Sequence, residues 1–139
     1  MQTPTLAHMH MAKRILRYLS GTKNYGLIFK KLGKKDNNDV YVSAYCDSDH
    51  AGDKTDRKST TGYCVFVNGN LISWATKKQT TVAQSSTEAE FMALSDTVKE
   101  VKWIIMLLTE LKYNVIAPAI IHVDNQSTIK ISENDACMS

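Results

Sequence analysis

Apolar residues at Leu6, Met9, Ala12, Ile15, Leu16 and Leu19 recur every three or four positions, the spacing of one helix face, until Gly21 breaks the run. Thr3-Pro4 ahead of them supplies a cap and a proline for the first turn. Tyr25 to Phe29 reads as a short strand, and Leu32 to Asn38 as a polar, lysine-rich linker. Val40 to Cys46 has the composition of a buried strand and ends at Asp47. After a polar loop, Thr61 to Val67 and Leu71 to Ala75 flank Asn68-Gly69, the pair that a two-residue type I′ hairpin favours because both turn positions need positive φ. The longest helical pattern covers about residues 87–112. Phe91, Leu94, Val98, Val101, Ile105 and Leu108 form its stripe, widened by Ile104, Leu107 and Leu111, and Ser85 and Thr87 each stand three residues before a glutamate. Pro118 then leads into a short strand, Ala119 to Val123, which ends at Asp124, and Ser127 to Ser132 fits a short helix.

A strand before a long helix and another after it imply a right-handed crossover and a parallel pair. The expected fold is therefore α/β, a mixed sheet with the long helix across one face. The chain of 139 residues suits a single core, and 43 % hydrophobic content is ordinary for a folded domain. No run approaches the ~18 apolar residues of a membrane span, so no membrane partner is expected. The three cysteines lack metal-ligand spacing and read as core thiols.

The net charge of +3 conceals a division. Residues 1–35 carry eight basic side chains and no acidic one, and the remainder holds nine basic and fourteen acidic. The organisation expected is a basic N-terminal helix and linker over 1–38, an acidic α/β body over 39–134 and a tail over 135–139.

In a parallel pair, Asp47 and Asp124 fall at the same carboxyl end of adjacent strands, where α/β sheets place ligands. Glu90, in the first turn of the crossover helix, projects from the neighbouring rim. Three carboxylates in a partly dry site repel one another unless a divalent cation neutralises them. Oxygen-only ligands suit Mg²⁺ or Mn²⁺, and a pair of such ions suits phosphodiester cleavage.

Six stretches, in this order, resemble the ribonuclease H domain of copia-type retrotransposon polyproteins: Tyr45-Cys-Asp-Ser-Asp-His-Ala-Gly52, Arg57-Lys-Ser-Thr-Thr-Gly-Tyr63, Ile72-Ser-Trp74, Lys77-Lys-Gln79, Ser85-Ser-Thr-Glu-Ala-Glu-Phe91 and Val123-Asp-Asn-Gln-Ser127. The first helix, with Arg14-Ile-Leu-Arg-Tyr-Leu-Ser-Gly-Thr22, resembles the reverse-transcriptase tail that precedes that domain. The resemblance implies cleavage of the RNA strand of RNA–DNA hybrids with Mg²⁺ held by Asp47, Glu90 and Asp124. It leaves Glu88 to cap its helix and puts Asn125 and Gln126 beside the substrate, with Arg57, Lys77 and Lys78 available to phosphates. It also implies a ribonuclease-H-like mixed sheet of order 3-2-1-4, followed by a fifth strand, a last helix and a fourth acidic group. The match fades near Asn134, so the expectation is a truncated domain with three of four acidic residues and impaired or absent activity.

A second resemblance rests on Arg14-Ile15-Leu16-Arg17, which matches the R-x-L-R element of oomycete RxLR effectors. That reading implies a secreted virulence protein without enzymatic activity. It would act on host plant proteins in the host nucleus or cytoplasm and suppress immunity and cell death. The first twenty residues do not form a signal peptide, because Lys13, Arg14 and Arg17 interrupt the apolar stretch.

Overall fold

The computed structural model describes residues 3–31 and 38–134. Its elements are α1 (Leu6–Gly21), β1 (Asp39–Asp49), β2 (Thr60–Val67), β3 (Asn70–Lys78), α2 (Ser86–Glu110), β4 (Asn114–His122) and α3 (Gln126–Ser132). The sheet order is β3-β2-β1-β4, with β1 antiparallel to β2 and parallel to β4. This is the mixed sheet of a ribonuclease-H-like α/β fold, as the pattern predicts. Most of the expected linker, and the expected tail over 135–139, lie outside the described residues. No described helix is long and apolar enough to cross a membrane.

The Asn68-Gly69 turn forms with φ of 52° and 76°, the left-handed values that a type I′ turn requires. Asn68 also accepts the Tyr41 amide on its side chain at 2.8 Å, tying the turn to the middle strand. β4 starts at Asn114, earlier than the predicted Ala119, and runs through Pro118. A proline fits there because β4 is an edge strand, paired among the described residues with β1 alone. The register slips beside it: Tyr41 faces Ile116, whereas Ser43 faces Ile120.

β1 alternates strictly, with Val40, Val42, Ala44 and Cys46 buried beneath α2 and Tyr41 and Tyr45 exposed on the opposite face. The core joins Val42, Ala44 and Val65 of the sheet to Val101 and Ile104 of the helix. The buried stripe of α2 differs from the predicted one. It consists of Ala89, Glu90, Ala93, Thr97, Val101 and Ile104, while Phe91, Leu107 and Leu111 stay exposed. Small side chains in the first half let the helix lie close to the sheet, so large residues there are displaced to its flanks.

Two further expectations change at the N-terminus. The cap of α1 is Thr5, whose hydroxyl accepts the His8 amide while the His8 ring accepts the Thr5 amide, so Pro4 precedes the helix. Tyr25 to Phe29 forms no strand. Lys30 instead pairs with the Asn70 side chain, its amide donating at 2.7 Å and its carbonyl accepting at 3.1 Å.

Candidate metal centre

The parallel register places Tyr45 opposite His122, so Asp47 and Asp124 come level just past that pair. Ser85 caps α2 by accepting the Glu88 amide at 3.1 Å, and the Glu88 carboxylate accepts the Gln84 amide at 2.7 Å. That cap leaves Glu90, two residues on, directed at the sheet. One carboxylate oxygen from each of Asp47, Glu90 and Asp124 lies within 4.8 Å of the others. Asp47 and Asp124 are exposed, whereas Glu90 is buried.

The buried carboxylate is held on one side only. Its Oε1 accepts the Ser48 amide at 3.1 Å and the Ser48 hydroxyl at 2.9 Å. Its Oε2 is buried without a partner. Burial raises the Glu90 pKa, the Ser48 hydrogen bonds pull it back, and the charges of Asp47 and Asp124 raise it further. Cys46, beneath the same strand end, is pushed up to about 11 by burial, with the three carboxylates adding in the same direction. A buried acceptor lacking a donor, beside two more carboxylates, is the surrounding that a hard cation relieves. These residues therefore fit Mg²⁺ or Mn²⁺.

The remaining candidates scatter. Arg57 sits in the loop after β1 with φ of 58° and is exposed. Lys77 and Lys78 end β3; Lys78 is bound by both Asp53 and Asp56, which hold its pKa up, while Lys77 is exposed. Asn125 caps α3, its side chain accepting the Thr128 amide at 2.9 Å, and Gln126 begins that helix exposed. Arg14, Ile15, Leu16 and Arg17 lie mid-way along α1, all exposed and remote in sequence from the carboxylates.

Ser48 is the residue that motif reading leaves without a role. Its signal is simple alternation: between two outward aspartates, position 48 must point toward the helix side, where Glu90 arrives.

The chain is 44 % identical over 134 residues, 96 % of its length, to the retrovirus-related Pol polyprotein from transposon RE1 of Arabidopsis thaliana. It is 42 % identical over the same length to the Pol polyprotein from transposon RE2 of that plant. It spans 9 % of the length of each of these relatives. It is also 46 % identical over 101 residues to secreted RxLR effector protein 161 of Plasmopara viticola, covering 73 % of this chain and 68 % of that protein. No protein-family model matches, and no solved structure does. The chain is thus a relative of transposon Pol polyproteins, segments of which align along nearly all of it, and of the Plasmopara viticola effector, of which it covers two thirds.

Proposed function

We propose that this chain is a transposon-derived ribonuclease H domain that cleaves the RNA strand of RNA–DNA hybrids, with Mg²⁺ or Mn²⁺ as cofactor. The observation that carries the reading is the convergence of Asp47, Glu90 and Asp124 at one strand end, with a buried Glu90 oxygen left unpartnered. Those three residues would hold the cation, which supplies an activated water and charge neutralisation at the scissile phosphate. Ser48 fixes the rotamer of Glu90 through two hydrogen bonds, so the buried ligand is oriented before any cation arrives.

Substrate contacts follow from which cations are free. Lys77 and Arg57 are available to the phosphate backbone, which gives salt-dependent binding without sequence preference. Lys78 is occupied by Asp53 and Asp56, so its share is small. Asn125 spends its side-chain oxygen on the α3 cap, leaving its amide nitrogen to the substrate, and Gln126 stands free beside it. A labelled RNA–DNA hybrid with Mg²⁺ tests the proposal. Cleavage abolished by Asp47→Asn and by Asp124→Asn supports it, and cleavage indifferent to both sinks the assignment.

A second reading is favoured by the coverage of the Plasmopara viticola effector, two thirds of which aligns here. In it the chain is a secreted RxLR-type effector of an oomycete plant pathogen, with host plant proteins as partners and no enzymatic activity. Arg14, Leu16 and Arg17 stand exposed on a helix free of the sheet, accessible to such a partner. Expression in plant tissue with a cell-death elicitor separates the two. Suppression that survives loss of all three carboxylates supports the effector, and no suppression removes it.

A further inference from the structure

Two apolar surfaces lack cover among the described residues. Among the described residues α1 touches no other helix or strand, and none of its residues is buried. Its stripe of Met9, Ala12, Leu16 and Leu19 faces solvent, with Lys13 and Arg17 along one flank. A lone helix of 16 residues is marginal in water unless that stripe packs against something. The second surface is the sheet face opposite α2. Tyr45, Trp74 and Ile120 are 54 %, 60 % and 56 % exposed there. Tyr45 stacks on His122 at 4.5 Å and meets Phe66 edge-on at 5.9 Å, so the face is a prearranged aromatic platform. It borders a groove of about 580 Å³ that Tyr45, Trp74 and His122 line and that Asp47 and Asp124 close at one end.

We propose that two copies of this chain exchange their N-terminal helices, each α1 docking on the open sheet face of the other. Charge matches as well as apolarity: Lys13 and Arg17 flank the stripe, and Asp47 and Asp124 stand at the groove's end. The wider balance agrees, since residues 1–35 have no acidic side chain and the body carries a net excess of them. A second copy is the occupant because in the single chain α1 stands off the sheet, while the segment after it is clamped at Lys30 to Asn70. Asn70 lies at the end of the sheet away from Asp47, as Lys78 at the other end of β3 reaches Thr60 and thence Asp49. The exchange is isologous and closes on itself, covering both exposed surfaces in both copies. A helix about 24 Å long and about 10 Å wide covers about 240 Å² of each surface it joins. Two exchanged helices therefore bury about 1,000 Å², the area a specific interface needs. The inference rests on neither reading of the function.

The test is light scattering on the full chain across micromolar to near-millimolar concentrations, with Leu16→Asp/Leu19→Asp on the helix and Trp74→Ala on the sheet. The expected mass is twice the 15.6 kDa of one chain, with dissociation strengthened at least tenfold by either variant and by high salt. At concentrations where both proteins are monomeric, the sheet's unfolding transition in the helix variant stays where it is, because α1 makes no contact with the sheet of its own chain. A Leu16→Cys substitution, oxidised against native Cys64 in the groove, should give a covalent dimer. A wild-type monomer throughout, a dimer indifferent to both variants, or an internal crosslink within one chain each overturns the proposal.

Discussion

Neutralising Glu90 should stabilise the metal-free fold at neutral pH while abolishing its response to Mg²⁺. Unit charges 4.8 Å apart repel by about 0.9 kcal/mol in water and about 3.5 kcal/mol in a surrounding of effective dielectric near 20. Asp47 and Asp124 are exposed, so the lower figure applies, and the two repulsions on Glu90 come to about 2 kcal/mol. Glu90→Gln removes them. It weakens the two Ser48 hydrogen bonds by about 1 kcal/mol, since a neutral acceptor replaces a charged one. The net gain is about 1 kcal/mol, or a melting temperature higher by about 4 °C for a body of this size. The sign with pH follows from the raised Glu90 pKa. The proton Glu90 binds more tightly when folded stabilises the wild type fully below the ordinary carboxylate pKa, and that contribution is lost as pH rises through the folded value. The variant's advantage therefore opens between about pH 4 and neutrality and is absent in more acid solution. In saturating Mg²⁺ the order reverses, because only the wild type keeps the buried ligand; tenfold excess over its dissociation constant adds about 1.4 kcal/mol. Differential scanning fluorimetry in chelator and in Mg²⁺ reads all of this. A variant less stable than wild type in chelator at pH 7, or an equal Mg²⁺ shift in both proteins, would refute the reasoning.

Ile104→Ala, which empties a core position 2 % exposed, should cost about 2–5 kcal/mol in urea unfolding without changing its slope. Gly69→Ala forces a side chain into φ of 76° at the hairpin and should cost about 1–2 kcal/mol in the same assay. Ser85→Ala removes the cap that aims Glu90 and should lower stability by about 1 kcal/mol. Cys46, buried with its thiol pushed up to about 11, should react with a thiol reagent at pH 8 only on unfolding, whereas Cys64 in the groove reacts in the native state; mass spectrometry of the labelled peptides distinguishes them.

The parallel pair and the hairpin are legible in the sequence because each rests on a local rule with few alternatives, whereas the full strand order follows from the family resemblance. Asn68-Gly69 admits one turn type, and a strand–helix–strand run admits one handedness. The helix stripe is less legible. Apolar count favours Phe91 and Leu94, but the sheet selects Ala89, Ala93 and Thr97 for their size, which hydropathy does not register. Pro118 misplaces the start of β4 because a proline ends a strand only where its missing N–H is needed, and sequence does not reveal which strand is the edge. At the site, spacing and element type suffice to bring Asp47, Glu90 and Asp124 onto one rim. They do not reveal that Lys78 is already neutralised by Asp53 and Asp56, since that ion pair is made by a loop with no periodicity to read.

The two functional readings weigh the same carboxylates differently, and the energetics of Glu90 discriminate between them. A protein that serves only as a docking surface gains nothing from a carboxylate buried with one unpartnered oxygen beside two others, and glutamine there would be more stable. In a cation site the same arrangement is the functional state, destabilised alone and relieved on binding. Ser48 sharpens the distinction: its two bonds hold Oε1 and leave Oε2 buried without a partner, whereas a merely structural glutamate would be satisfied at both oxygens. The buried oxygen thus argues for a site still shaped to take a cation. The exposed helix carrying Arg14 and Arg17 makes no contact with the strands and helix that hold that site, and is a separate surface that can carry an interaction whether or not cleavage persists.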